Sequence, residues 1–101
     1  MAWFMGIDIG SATSKGVLTK NGELSAYHLI PSGINYRATA QKIKGELLKK
    51  AGLSMEDIAC VVATGCGADN VYFASQQTAD IICCARGINN IFSLVRVVID
   101  I

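Results

Sequence analysis

The segment Gly6–Leu18 constrains the fold most, because it joins an apolar run that carries a carboxylate to a loop of small donor residues and a second apolar run. The first run predicts a strand, Trp3–Ile9, with Asp8 near its end. An acid inside an apolar strand is costly to bury unless it is paired, hydrogen-bonded or facing a metal ion. We therefore treat Asp8 as a candidate functional residue.

The loop after this strand has the chemistry of a phosphate-binding loop. Its residues are Gly10, Ser11, Ala12, Thr13 and Ser14, and Lys15 follows them. Glycine lets backbone N–H groups approach an anion closely, and hydroxyl and ammonium groups supply further donors. An ordinary turn that contains an aspartate is the alternative, but acid, glycine, hydroxyls and lysine at this spacing favour phosphate binding. Lys15 fits two interpretations, a phosphate contact and a surface lysine on an exposed strand.

Composition excludes several classes of protein. The chain of 101 residues is long enough for one domain, and it is 51% hydrophobic but only 17% charged. We therefore expect a sheet buried on both faces, a surface covered by another segment or subunit, or both. A net charge of +1 provides no basic stripe for nucleic acid. The apolar start Met1–Ile7 is too short to span a membrane and lacks the basic residues of a signal peptide, so we expect a cytoplasmic protein without a membrane or nucleic-acid partner.

The cysteines have no spacing typical of a metal or redox site. They are Cys60, Cys66, Cys83 and Cys84. Without a C-x-x-C pattern, reduced thiols are the expected state, and iron–sulfur ligation by any of the four is not expected. Cys60 lies in an apolar run and is predicted to pack in the core. His28, on a predicted edge strand, is expected to be structural or exposed and not catalytic.

Turn signals divide the next segment into a hairpin. The apolar runs Lys15–Lys20 and Leu24–Ile30 are joined by Asn21-Gly22, the strongest short signal for two antiparallel strands. Pro31-Ser32-Gly33 then ends the strand pattern. The first three elements are therefore predicted to be strands.

The hydrophobic period becomes helical after Asn35. The apolar residues at helical spacing are Ala40, Ile43, Leu47, Leu48 and Ala51. Gly52 stands where a helix C-terminal cap is expected, and Ser54 with Asp57 predicts a capped turn. The run Ile58–Ala63 is continuously apolar and half of its residues are β-branched, which favours a strand buried on both faces.

The remaining segment predicts a loop, a helix and a strand. Thr64-Gly65-Cys66-Gly67 reads as a tight loop whose glycines supply special backbone angles, and Thr64 is a candidate for lining a cleft. A helix is predicted from Thr78 to Asn89 or Asn90, and a strand over Val95–Ile101 that contains Asp100. The order βββ-α-β-α-β predicts an α/β fold, a mixed sheet with helices packed on it.

That order, opened by an Asp-x-Gly-hydroxyl loop, resembles the ribonuclease-H-like lobe of the actin and sugar-kinase superfamily of ATPases. Within it the chain is most similar to the activator ATPases of 2-hydroxyacyl-CoA dehydratases and the ATPase subunits of benzoyl-CoA reductase. The segments that carry the resemblance are Asp8–Lys15, Ala63–Gly67, Ala79–Gly87 and Val97–Ile101. The chain departs from that group at Cys66 and Ala68, where an aromatic residue and an arginine are common, and at Cys84, where a histidine is.

The resemblance implies an N-terminal ribonuclease-H-like (actin-like) ATPase lobe over residues 1–94. Residues 95–101 would be the first strand of a truncated second lobe or the last strand of the same domain. The resemblance also implies a site for ATP or ADP with Mg²⁺. Asp8 would be catalytic, the nucleotide would contact Gly10, Ser11, Ala12, Thr13, Ser14 and Lys15, and Asp8 and Asp100 would reach Mg²⁺ through water.

The function implied by the resemblance is ATP hydrolysis that drives low-potential electron transfer to a CoA-thioester dehydratase or reductase. The full-length parent would be a homodimer with a [4Fe–4S] cluster, whose ligands are not in this chain, and the fragment alone would be inactive. A sugar or acyl kinase of the same superfamily and an actin-like nucleotide-binding scaffold are the alternatives. A nuclease would need a further carboxylate at the end of the fourth strand, where this chain has Ala63-Thr64-Gly65.

Overall fold

The computed structural model describes residues 3–21, 23–71 and 73. Four strands form one sheet in the order β3-β2-β1-β4; they are β1 Trp3–Ile9, β2 Thr13–Lys20, β3 Glu23–Pro31 and β4 Ile58–Thr64. β2 runs antiparallel to β1 and β3, whereas β4 runs parallel to β1. This mixed α/β sheet with a helix packed on it confirms the predicted fold class. The predicted second helix, the last strand and the proposed domain boundary lie outside the described residues.

The two hairpins follow from the turn residues between the strands. β1 has the predicted bounds, but β2 begins at Thr13 and not at Lys15, since Thr13 and Ser14 pair with the end of β3. Asn21, in the second turn, has a φ of 54°. Asparagine is one of the few residues that adopt this left-handed conformation at low cost, which explains its use there.

The helix α1, Tyr36–Ala51, is capped at both ends, and Gly52 is the C-terminal cap that its sequence predicts. The side chain of Asn35 accepts a hydrogen bond from the backbone N–H of Ala38 at the first turn. At the other end Gly52 adopts the left-handed conformation with φ 68°, and its N–H closes the last turn. Ser54 and Asp57 form the expected capping box over the short 3₁₀ turn Met55–Asp57.

The core lies between α1 and one face of the sheet. Its buried members are Met5, Ile7, Ile9, Leu18, Ala40, Ile43, Leu47, Val61 and Val71. Gly16 lets the helix approach β2 closely, because a Cβ there would overlap Cγ2 of Ile43 and lie 2.9 Å from Cδ1 of Leu47. On the other face, Val17 is fully buried against Phe4 and Val62.

β4 is less buried than its apolar sequence predicts. Only Cys60 and Val61 are buried, while Ala59 is exposed and the residues after Val61 are half-buried.

Among the described residues, no helix has both the length and the apolar character needed to cross a bilayer.

Candidate functional site

Asp8 lies at the centre of a row of side chains across three strands. In the sheet register it is opposite Lys15 of β2 on one side and Thr64 of β4 on the other. Directly opposed residues project from the same face, so we call this the Lys15–Asp8–Thr64 row. Alternation along β1 places it on the face opposite the one that packs against α1. The parallel pairing of β1 with β4 is what brings Thr64 beside the acid.

An ion pair satisfies the Asp8 carboxylate. The Lys15 ammonium group lies 3.3 Å from Asp8 Oδ2, and the side chains of Lys15 and Asp8 are only 15% and 14% exposed. Pairing removes much of the cost of placing an acid in this apolar strand. Lys15 is therefore not a free surface lysine, and its charge is at the acid.

The loop between β1 and β2 remains open to solvent despite this ion pair. Ser11, Ala12 and Thr13 are exposed at its tip, and Gly10 is half-buried. An aspartate that merely ends a strand would need only its lysine and no exposed donor-rich loop beside it. The open loop next to the paired acid therefore favours ligand binding over a purely structural turn.

Ser14 has a different environment from the rest of the predicted loop. It is fully buried, and its hydroxyl lies 2.5 Å from that of Ser32. Its side chain is thus turned into the protein and holds the loop from inside. Asp100, the other predicted acid of the site, lies outside the described residues.

A second loop closes over the end of β1 beside the acid. The N–H of Gly67 donates to the carbonyl of Ile9 over 3.0 Å, and the Cys66 thiol lies 3.6 Å from the same oxygen. Gly65 has a φ of 91°, and a Cβ there would overlap Oδ1 of Asp8 and the Ile9 carbonyl. The sequence predicted only a backbone role for Gly65. Its position shows that the glycine also makes room for the carboxylate.

Sequence reasoning did not identify Ser32 as a site residue. The sequence showed it only as part of the break after β3, yet its hydroxyl donates to the Gly10 carbonyl over 2.6 Å and its N–H donates to Ala12 over 2.9 Å. A serine between proline and glycine carries no signal that it will contact a loop some twenty residues away in the chain. Only the pairing of β2 with β3 reveals it.

Three other residues that the sequence singled out, His28, Cys60 and Cys66, lie outside the Lys15–Asp8–Thr64 row. His28 on β3 contacts the ammonium group of Lys50 over 3.1 Å. Cys66 is exposed and free, and the Tyr36 hydroxyl donates a hydrogen bond to the Cys66 sulfur, which raises the pKa of Tyr36, with the Cys66 charge adding to the effect. Cys60 is buried as predicted.

The donors at this end of the sheet suit a phosphate ligand with a hard metal ion. Within the described part of the chain, no three His, Cys, Asp or Glu side chains come together as a metal site. Mg²⁺ is commonly bound by one or two carboxylates together with water and substrate phosphates. A single carboxylate beside an open loop of glycine and hydroxyl residues fits that arrangement better than an all-protein metal cage.

Comparisons with known proteins give concordant results. The model of the BadF/BadG/BcrA/BcrD ATPase family matches residues 5–101. The chain is 44% identical over 98 residues to the 2-hydroxyisocaproyl-CoA dehydratase activator of Clostridioides difficile, covering 96% of this chain and 36% of that protein. It is 37% identical over 98 residues to the activator of lactoyl-CoA dehydratase of Anaerotignum propionicum, covering 96% of this chain and 38% of the relative.

A solved structure extends the likeness to the fold. The activator of the 2-hydroxyisocaproyl-CoA dehydratase from Clostridium difficile, solved with bound ADPNP, superposes with a TM-score of 0.63 at 40% identity. The match covers 87% of this chain and 33% of that one. The chain thus spans little more than a third of the length of the curated relatives it matches.

Proposed function

The chain belongs to the BadF/BadG/BcrA/BcrD ATPase family, and on this basis we propose that the full-length protein hydrolyses ATP to activate a partner enzyme. The observation that carries the proposal is the Lys15–Asp8–Thr64 row beside the loop Gly10–Thr13, whose tip Ser11–Thr13 is exposed. It combines an acid, a cation and open backbone donors at one edge of the sheet. Phosphoryl transfer requires mainly such positioning and charge neutralisation, with little covalent chemistry from the protein.

Each described residue of the site has a separate part in this proposal. Backbone N–H groups of Gly10–Thr13, with the hydroxyls of Ser11 and Thr13, bind the β- and γ-phosphates. Lys15 adds positive charge beside them. Asp8 orients the attacking water for displacement at the γ-phosphate. Ser14 supports the loop through its buried hydroxyl, and its backbone is part of the nucleotide contact.

Mg²⁺ is the metal that this donor set fits. Asp8 would hold it through water, and Asp100 would be the second carboxylate. When bound, the ion neutralises phosphate charge. The oxygen Oδ1 of Asp8 lies against Gly65, in the space that a Cβ at this position would occupy.

We propose that the partner is a CoA-thioester dehydratase or reductase, since the relatives are named as activators of such dehydratases. The parent would be a homodimer that carries a [4Fe–4S] cluster with ligands outside this chain. Nucleotide-dependent closure of two lobes would move that cluster relative to the partner. Residues 1–94 would form the first ATPase lobe, and the strand after them would begin the second lobe or complete the first.

The test is the ATP turnover of the full-length protein after Asp8→Asn. Turnover should fall by about tenfold or more, because the amide keeps the size of the carboxylate but not its charge. Asp69→Asn is the matched control, since Asp69 is exposed on the 3₁₀ turn Ala68–Asn70 outside the row. Unchanged turnover in Asp8→Asn would contradict the proposal. Phosphate release without a phosphorylated product would separate this ATPase from a sugar or acyl kinase.

A further inference from the structure

The buried side chain of Ser32 contacts the phosphate loop from beneath. Ser32 is 1% exposed and lies between the end of β3 and the start of α1. Its hydroxyl donates to the carbonyl of Gly10 over 2.6 Å, and its backbone N–H donates to the carbonyl of Ala12 over 2.9 Å. One residue therefore binds two carbonyls of the loop.

The polarity of these bonds also fixes the role of Ser14. A serine hydroxyl has one hydrogen, and the Ser32 hydrogen is given to Gly10, whose carbonyl can only accept. In the 2.5 Å contact between the two hydroxyls, Ser14 must therefore be the donor. The result is a directed chain from Ser14 to Ser32 to Gly10, in which each bond strengthens the next.

These bonds determine which side of the loop presents its N–H groups. The described residues contain no cis peptide bond, and in a trans peptide the N–H points opposite to the preceding C=O. The Gly10 and Ala12 carbonyls point towards Ser32, so the N–H groups of Ser11 and Thr13 point away from it. Carbonyl oxygens that would repel phosphate are thus held inward, while donors are turned the other way.

Ser32 is itself held by the beginning of α1. The Thr39 hydroxyl lies within hydrogen-bond distance of the Ser32 carbonyl and 3.1 Å from the Asn35 carbonyl. Asn35 caps the helix through the N–H of Ala38. The loop is therefore tied through Ser32 to a capped helix end, which is more rigid than a free loop.

We propose that Ser32 is a positioning residue that orients the backbone N–H groups of the phosphate loop toward the anionic phosphates of a nucleoside triphosphate. The inference rests on the proposed ATPase function and adds to it a residue that touches neither nucleotide nor metal. Loss of the hydroxyl should weaken binding of the phosphates and leave binding of the nucleoside unchanged. A residue that only supports the fold would affect both ligands alike.

The test compares two ligands on the full-length protein and its Ser32→Ala variant. The probes are ADPNP and adenosine, each measured by displacement of a fluorescent ATP analogue. We expect Ser32→Ala to raise the dissociation constant of ADPNP about tenfold, as the loss of two hydrogen bonds near a charged ligand predicts, with no change for adenosine. KM for ATP should rise in parallel.

Two further variants keep the test decisive. Ser32→Cys preserves the shape but offers a weaker donor, so its ADPNP affinity should lie between wild type and Ser32→Ala. It replaces the alanine variant if the latter does not fold. Ser54→Ala is the control, because it also loses a hydroxyl contact, to Asp57, but on the turn before β4; its affinities should equal those of wild type.

The outcomes separate the two proposals. Equal ADPNP affinity in wild type, Ser32→Ala and Ser32→Cys would overturn the positioning role while leaving the ATPase intact. Equal losses of ADPNP and adenosine binding would also overturn it, since the effect would then be general. A wild-type protein that binds no ADPNP would overturn the proposed function itself.

Discussion

Gly65 lies so close to the Asp8 carboxylate that any side chain at this position would overlap Oδ1. The two residues are far apart in sequence, but parallel pairing of β1 and β4 brings the ends of both strands together. The loop that follows β4 is thus in contact with the acid and not merely a connection.

Gly65→Ala should impair both stability and ATP turnover. The methyl group would meet the Asp8 carboxylate and the Ile9 carbonyl, and the φ of 91° is strained for any L side chain. We expect a loss of about 2 kcal/mol in the free energy of unfolding, measured by denaturant titration, and slower turnover because Asp8 must move.

Gly52→Ala is the control for backbone strain alone. Gly52 also has a positive φ, 68°, but nothing lies within 4 Å of its Cβ position. It should cost about 1 kcal/mol of stability and leave turnover unchanged. Equal turnover in the two variants would show that Gly65 has no special relation to Asp8.

Lys15→Met should raise the KM for ATP by about tenfold. The substitution keeps most of the apolar stem but removes the charge that lies 3.3 Å from Asp8. Lys20→Met on the same strand is the matched control, because the Lys20 ammonium group lies over the Trp3 ring and not at the acid. A KM equal to that of wild type would mean that Lys15 serves Asp8 alone. Steady-state kinetics over a range of ATP concentrations measures both variants.

Gly16→Ala and Gly45→Ala should change stability in opposite directions. A methyl group at Gly16 would overlap Ile43 and crowd Leu47, and overpacking of this kind costs about 1–3 kcal/mol. Gly45 lies inside α1 with open space around its Cβ position, so alanine there should add about 0.5–1 kcal/mol. Thermal unfolding would measure both shifts. Destabilisation by Gly45→Ala would contradict the observed packing of α1.

The phenol of Tyr36 should titrate above its ordinary pKa. Its hydrogen bond with Cys66, together with the charge of that residue, raises the pKa. Because the folded-state pKa exceeds the unfolded one, the associated stability is present below the ordinary value and is lost as the pH rises through the raised value. Ultraviolet difference titration of a background with Tyr27→Phe and Tyr72→Phe would leave Tyr36 as the one titrating tyrosine of this sequence, and adding Cys66→Ala should lower the midpoint. An unchanged midpoint would show that the two side chains do not interact.

The sequence predicts the elements whose signals are local. The bounds of β1, the hairpin at Asn21 and the C-terminal cap of α1 follow from residue types within a few positions of each other. The beginning of β2 was predicted two residues late, because Thr13 and Ser14 are polar and join the strand through pairing with β3 and, for Ser14, also with β1. The local sequence pattern does not specify with which neighbouring strand the end of a strand will pair.

Non-local contacts of the site could not be predicted from the residues alone. Asp8 and its loop were identifiable because an acid in an apolar strand is unusual. Ser32 and Gly65 could not be identified as site residues, because each looks like an ordinary turn residue in the sequence. Strand pairing is what brings each of them into contact with the site.

The position of β1 in the sheet has a mechanical consequence for nucleotide-driven motion. This strand is hydrogen-bonded along both edges, to β2 and to β4. Sliding it would break two ladders at once, so the acid at its tip is a fixed reference point. Under the proposed function, any movement that ATP induces must therefore come from parts of the molecule that move around that point, while the tip itself stays still.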